Sequence, residues 1–187
     1  MDYVHSADNS AFLVIDLQPV FTDTIRDESY QHTVKRNLDA ARKLLCPDRI
    51  IHVRANYGNT PMLTRSRILH PDRIQPTDTT GTLWAAELED EKVIEKTTVD
   101  AFYLTDLENY LRERNITSLF CCGMLTCCCV HETAIGGVLR GFRTVLVEDL
   151  CIDKTPEKHT ATLMLYKDYM YETCLAVDML VLLGSAR

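Results

Sequence analysis

Apolar positions along the chain fall into short continuous runs that alternate with stretches of helical spacing. Residues 11–17 (AFLVIDL) form an unbroken apolar run that stops at Gln18 and Pro19, and residues 49–54 (RIIHVR) form a second. Runs this short and this apolar predict strands buried on both faces. Residues 92–96 (KVIEK), 118–122, 144–147 and 171–175 complete the set of predicted strands. Between them, residues 29–46 place Val34, Leu38, Ala41, Leu44 and Leu45 on one side of a helix. Residues 104–115 align Leu104, Leu107 and Leu111, and residues 126–140 read as a helix ended by Gly141. Residues 155–167 carry Thr155 as an N-cap and Pro156 in the first turn, and 177–183 read as a last short helix.

Strands alternating with helices at this spacing predict a parallel sheet covered on both faces, hence one α/β domain over residues 1–187. In such sheets ligands sit beyond the carboxyl ends of the strands. That directs attention to Asp16 and Gln18, to residues 54–57, to Lys96 and to residues 123–129. The connection 55–83 is long and polar, with Gly58, Pro61, Pro71, Pro76 and Gly81. Long loops inside compact domains are usually functional.

Charge narrows the partners. Lys plus Arg is 20 and Asp plus Glu is 27, a formal net charge of −7. An acidic chain with no basic block predicts no nucleic-acid partner and no anionic-membrane partner. No apolar run approaches the roughly 18 residues of a membrane-spanning helix. The polar, acidic stretch 1–10 predicts no secretory signal, and a cytoplasmic location follows as an expectation.

The cysteines are the unusual part of the composition. There are eight, at 46, 121, 122, 127, 128, 129, 151 and 174, and five of them fall between 121 and 129. Such crowding does not suit a disulfide framework. The paired short clusters of a zinc site are missing as well, even with His131 close to Cys129. Most of these thiols read as small buried hydrophobes.

One of them stands apart. Asp16, Lys96 and Cys129 all project from the carboxyl edge of the predicted sheet. Taken singly, Asp16 reads as a strand-end carboxylate, Lys96 as a solvated lysine and Cys129 as a core thiol. Taken together they suit acyl transfer. An adjacent ammonium and a helix N-terminus favour thiolate. A carboxylate beside the thiol can take its proton and return it to a leaving amine.

Four segments carry a family resemblance: AFLVIDLQPVF at 11–21, GTLWAAEL at 81–88, EKTTVDAFYLTDLENYL at 95–111 and CCGMLTCCCVHETAIGGVLRGF at 121–142. In order and spacing the chain resembles the isochorismatase-like cysteine hydrolases, the family of nicotinamidases and N-carbamoylsarcosine amidohydrolases. The resemblance implies a Rossmann-like three-layer αβα fold around a six-stranded, mostly parallel sheet. It implies a triad of Asp16, Lys96 and Cys129, with Cys129 placed by the Gly-x-x-Thr-x-x-Cys-Val pattern at 123–130. It implies a non-proline cis peptide at Met124–Leu125 and an oxyanion hole from the N–H groups of Leu125 and Cys129. Small-molecule hydrolysis by a homodimer or homotetramer follows from the same likeness.

Departures from the family pattern narrow the expectation. Metal-holding nicotinamidases carry an Asp and several His after the second strand, where this chain reads VRANYGNTP. No metal and no cofactor are therefore expected. A retained Cys129 favours cleavage of a C–N bond in an amide, carbamoyl or ureido compound through a thioester. The alternatives are an isochorismatase-type vinyl-ether hydrolase, which needs no thiol, and a catalytically silent binding module of the same fold. Gln18, Phe21, Arg54, Tyr57, Trp84 and Phe102 are the candidate pocket residues, with Arg54 and Tyr57 suited to hold a carboxylate or carbonyl. His131 is expected to face outward.

Overall fold

A computed structural model describes residues 5–58, 60, 62, 68 and 77–184. Most of the long connection expected to build the pocket, residues 59, 61, 63–67 and 69–76, lies outside the described residues. Six strands form one parallel sheet: β1 (Ser10–Ile15), β2 (Ile50–Ala55), β3 (Lys92–Lys96), β4 (Ser118–Met124), β5 (Arg143–Ile152) and β6 (Glu172–Cys174). Their spatial order is β3-β2-β1-β4-β5-β6. The order reverses between β1 and β4, the switch point where α/β sheets open a crevice for ligands.

Among the described residues, helices α1 (Pro19–Thr22), α2 (Glu28–Ala41), α3 (Leu107–Glu113), α4 (His131–Leu139), α5 (Pro156–Tyr166) and α6 (Ala176–Gly184) cover the sheet. Every residue of β1 and β2 is buried. Alternate side chains of these strands feed two cores. Phe12 and Val14 join Val34, Leu38 and Ala41 of α2 and Met179 and Leu183 of α6. Leu13 and Ile15 join Leu107 and Leu111 of α3 and Ala134 of α4 on the other face. A strand with both faces covered has no polar side to show, which is why its sequence runs apolar rather than alternating.

The structure departs from the sequence pattern at several ends. The helix expected over 29–46 stops at Ala41 and leads through a turn into a single 3-10 turn at Pro47–Arg49. The helix expected from Leu104 begins at Leu107, because Leu104 takes φ +54° and is solvent-exposed. Strand β5 continues through Glu148 and Asp149 to Ile152. Its register slips between the pairs Cys121–Leu146 and Gly123–Cys151, so the charged residues sit on the irregularity. A short helix at Pro19–Thr22 was not legible, Pro19 having been read only as a stop.

The expected helix over 126–140 is two elements. Thr126–Val130 forms a π turn, in which the Val130 N–H reaches the Leu125 carbonyl at 3.3 Å, and α4 continues from His131. Single π turns recur at functional sites because the extra residue re-aims the side chains on it. Cys129 lies on this one.

Candidate active site

The carboxyl edge of the sheet gathers the three predicted catalytic residues. Asp16 follows β1 with φ +55°, and its N–H bonds the Val53 carbonyl at 3.0 Å. Lys96 ends β3, and its carbonyl accepts the Asn56 N–H at 2.8 Å. Both ends are thus tied to β2, the strand between them. The Lys96 ammonium lies 2.8 Å from Oδ2 of Asp16, and both side chains are sealed from solvent. It also donates to the carbonyls of Thr98 (3.1 Å) and Val99 (3.3 Å). Lys96 is therefore saturated. Asp16, by contrast, has two partners, the Lys96 ammonium and the Cys129 thiol, with which it shares a side-chain hydrogen bond.

Cys129 completes the cluster from the π turn, buried at 7% exposure. Burial raises the Asp16 carboxyl well above the usual carboxylate range, the neighbouring Cys129 raises it further, and Lys96 opposes both. Burial works against charge on Lys96, but Asp16 and Cys129 outweigh it and hold the ammonium protonated. The hydrogen bond between the two sulfurs raises the Cys129 thiol and lowers that of Cys128, with burial adding to the first shift. One buried cation stabilises one buried anion. Asp16 and Cys129 accordingly share a proton beside Lys96.

Several contacts hold the Cys129 turn in place. Oδ2 of Asp153, a residue 4% exposed, accepts the Cys127 N–H at 2.7 Å. Thr126 Oγ1 lies 2.9 Å from His159 Nδ1 on α5. Gly123 takes φ +119°, and a Cβ there would lie 2.0 Å from the Ile15 carbonyl oxygen. Only glycine permits β4 to pass β1 so closely just before the turn. The Met124–Leu125 peptide is cis. Asp153 and His159 carry no sequence signal of their own, since each acts from a loop or helix distant in the chain.

The candidate pocket residues divide by environment. Gln18 is fully used in structure. Its amide nitrogen donates to the carbonyls of Ala55 (3.0 Å) and Asp78 (2.7 Å), and its oxygen accepts the Ala55 N–H (2.8 Å). Arg54 is sealed and pairs with Glu87 at 3.0 Å. Phe102 stacks on Phe142 and lies under the Arg140 guanidinium. Phe21 is buried in the α2-side core. Trp84 meets Tyr30 edge-on, and both line a narrow cleft with Ile25, Met124 and Ile152. Tyr57 reaches the cluster itself, its hydroxyl 3.8 Å from the Cys129 sulfur.

His131 does not face outward. It is 9% exposed, bonds Tyr171 Oη at 3.1 Å through Nδ1 and packs on the Tyr166 ring. The π turn rotates the start of α4, so the position that a continuous helix would expose turns inward.

Among the described residues, no three His, Cys, Asp or Glu side chains are grouped to hold a metal ion. Nor is any described helix long and apolar enough to cross a membrane.

Comparison with known proteins extends over most of the chain. The Isochorismatase domain model matches residues 10–177. The ureidoacrylate amidohydrolase RutB of Acinetobacter baylyi is 31% identical over 131 residues, covering 63% of this chain and 53% of that protein. The isochorismatase family protein YddQ of Bacillus subtilis is 37% identical over 68 residues, covering 36% of this chain and 38% of that protein. The matched stretches thus span about half or less of these curated relatives. Among solved structures, a cysteine hydrolase from Pseudomonas syringae superposes with TM-score 0.82 at 20% identity over 100% of both chains. The N-carbamoylsarcosine amidase of Thermoplasma acidophilum gives TM-score 0.72 at 19% identity over 90% of this chain and 96% of that one. With a domain model spanning both the Asp16 strand and the Cys129 turn, the chain belongs to the isochorismatase-like hydrolase family, which includes amidases.

Proposed function

We propose that the protein is a cysteine hydrolase that cleaves a C–N bond of a small amide, carbamoyl or ureido compound through a thioester. The observation that carries this reading is the sealed Asp16–Lys96 pair beside Cys129, with Asp16 hydrogen-bonded to the thiol.

In the proposed sequence Asp16 takes the Cys129 proton and Lys96 stabilises the anion as it passes to sulfur. The thiolate attacks the substrate carbonyl, and the N–H groups of Leu125 and Cys129 receive the oxyanion. Asp16 returns its proton to the nitrogen as the C–N bond breaks, leaving the acyl group on sulfur. Water then gives a proton to Asp16 and attacks the thioester, and the proton returns to sulfur as the acid or carbamate leaves. A carboxyl raised by burial is suited to both directions of transfer, because its acid and base forms lie closer in energy near neutrality. Phe21 and Trp84 flank the same edge and are proposed as pocket walls. The saturated amide of Gln18 and the ion pair of Arg54 suit support of that edge.

The test is a screen of primary amides, ureas and carbamoyl amino acids with ammonia release as readout. Cys129→Ala should reduce kcat/KM by roughly 10³-fold or more, the scale on which loss of a nucleophile is felt. Full activity in that variant would refute the thioester route and favour thiol-independent ether cleavage.

A further inference from the structure

We propose that the Tyr57 hydroxyl is a further catalytic group, donating a hydrogen bond to the Cys129 sulfur whenever that sulfur is a thiolate. This rests on Cys129 being the nucleophile but concerns a residue outside the triad.

The phenol is 7% exposed and its oxygen has two acceptors within reach. One is the Cys129 sulfur at 3.8 Å, the other the Thr98 carbonyl at 3.5 Å. Both contacts are at the long end of their range, so neither acceptor holds the proton firmly in the resting site. The Thr98 carbonyl is already shared, since Lys96 donates to it at 3.1 Å. The Lys96 ammonium also stands 5.9 Å over the Tyr57 ring. Tyr57, Lys96 and Thr98 thus form a small ring of contacts on one side of the sulfur.

This arrangement discriminates between states of the sulfur. A neutral thiol is a weak acceptor and competes poorly with the Thr98 carbonyl. A thiolate is an anion, and hydrogen bonds to ionised acceptors are roughly twice as strong as neutral ones. The hydroxyl therefore turns to sulfur when Cys129 ionises. Once the sulfur is acylated its charge is gone, and the hydroxyl returns to Thr98. Burial pushes the phenol far above its ordinary ionisation range, so it remains a donor across the working pH. The bond favours the ionised nucleophile over the resting thiol, which is where it aids the reaction.

The first readout of the test needs no substrate. Alkylation of Cys129 by iodoacetamide is followed against pH, with fragment mass spectrometry assigning the label among Cys127, Cys128 and Cys129. Tyr57→Phe keeps the ring over Lys96 and removes only the hydroxyl. Its alkylation midpoint should move up by about one pH unit or more, and kcat/KM should fall ~10- to 100-fold with KM little changed. Should Tyr57→Phe fail to fold, 3-fluorotyrosine at position 57 serves instead. Its more acidic phenol is the stronger donor, so the midpoint should move down. An unmoved midpoint in either variant overturns the proposal. Failure of the nucleophile reading would appear separately, as turnover surviving in Cys129→Ala.

Discussion

Two buried ionic clusters border β2, and they differ in what their carboxylates bond. In the first, Glu91 accepts from Arg42 at 2.7 and 2.9 Å, from the Leu88 N–H at 3.0 Å and from His52 at 2.8 Å. Both carboxylate oxygens are occupied. In the second, Lys96 donates to the carbonyls of Thr98 and Val99 and pairs with Asp16, whose other partner is the Cys129 thiol. A fully bonded cluster has nothing left to exchange, so its role ends with holding structure. A buried carboxyl hydrogen-bonded to a thiol can pass a proton. Burial and charge are common to both; the difference lies in the thiol that one carboxylate has as a partner.

The largest contrast should come from removing the cation of the second cluster. Lys96→Met leaves Asp16 buried without its cation, and that carboxyl escapes the cost by staying protonated. Activity should fall by roughly 10³-fold, while the thermal midpoint moves little. Parallel measurement of kcat/KM and Tm checks this. A large loss of stability at unchanged activity would make Lys96 a structural residue and erase the distinction.

Breaking the first cluster should do the reverse. Glu91→Ala takes the carboxylate from His52 and leaves Arg42 with Asp39 and the Ala86 carbonyl; it should cost about 1–3 kcal/mol in urea unfolding, with the folded enzyme still active. Its pH dependence follows from the same contacts. Burial pushes the Glu91 carboxyl up, but the hydrogen bonds from Arg42 and His52 outweigh burial and hold it at about 2. A depressed carboxyl stabilises the fold in full above its unfolded value of about 4.3 and loses that contribution as pH falls toward 2. Glu91→Gln should therefore flatten the stability profile between about pH 4.5 and 2. An unchanged acid limb would mean that other carboxylates govern it.

The two clusters were unequally legible in the sequence. Asp16 and Lys96 close apolar runs, and Cys129 follows a glycine–threonine pattern; strand ends and short motifs are local signals. The alternation of runs and periodic stretches likewise carried the α/β class. The Arg42–Glu91–His52 cluster joins a helix, a loop and a strand, and no local pattern marks such a meeting. The same holds for Asp153, which bonds the Cys129 turn from 26 residues away. The π turn was hidden for another reason. Its five residues have no distinctive composition, and the i to i+5 bonds from Val130 to Leu125 and from His131 to Thr126 separate it from ordinary helix. His131 was misplaced as a direct result, since one added residue shifts every later side chain around the axis.

The smallest effect tests how the support around the site is built. Gly81 lies on the Arg54 side chain: a Cβ there would sit 2.2 Å from one terminal guanidinium nitrogen and 2.8 Å from Cζ. The three nearest atoms all belong to that side chain, and no left-handed backbone is required at this glycine. Arg54 cannot easily swing aside, being sealed and tied to Glu87. Gly81→Ala should thus cost about 1–3 kcal/mol, the usual price of overpacking. Arg54→Ala removes the atoms in the way and frees Glu87, whose carboxylate is 38% exposed and readily rehydrated. On that background the added methyl should cost almost nothing. A double-mutant cycle on urea unfolding reads the coupling directly, with about 1–2 kcal/mol expected between the two sites. Additive losses would mean that the 81–87 segment, and with it Trp84, is seated by contacts other than Arg54.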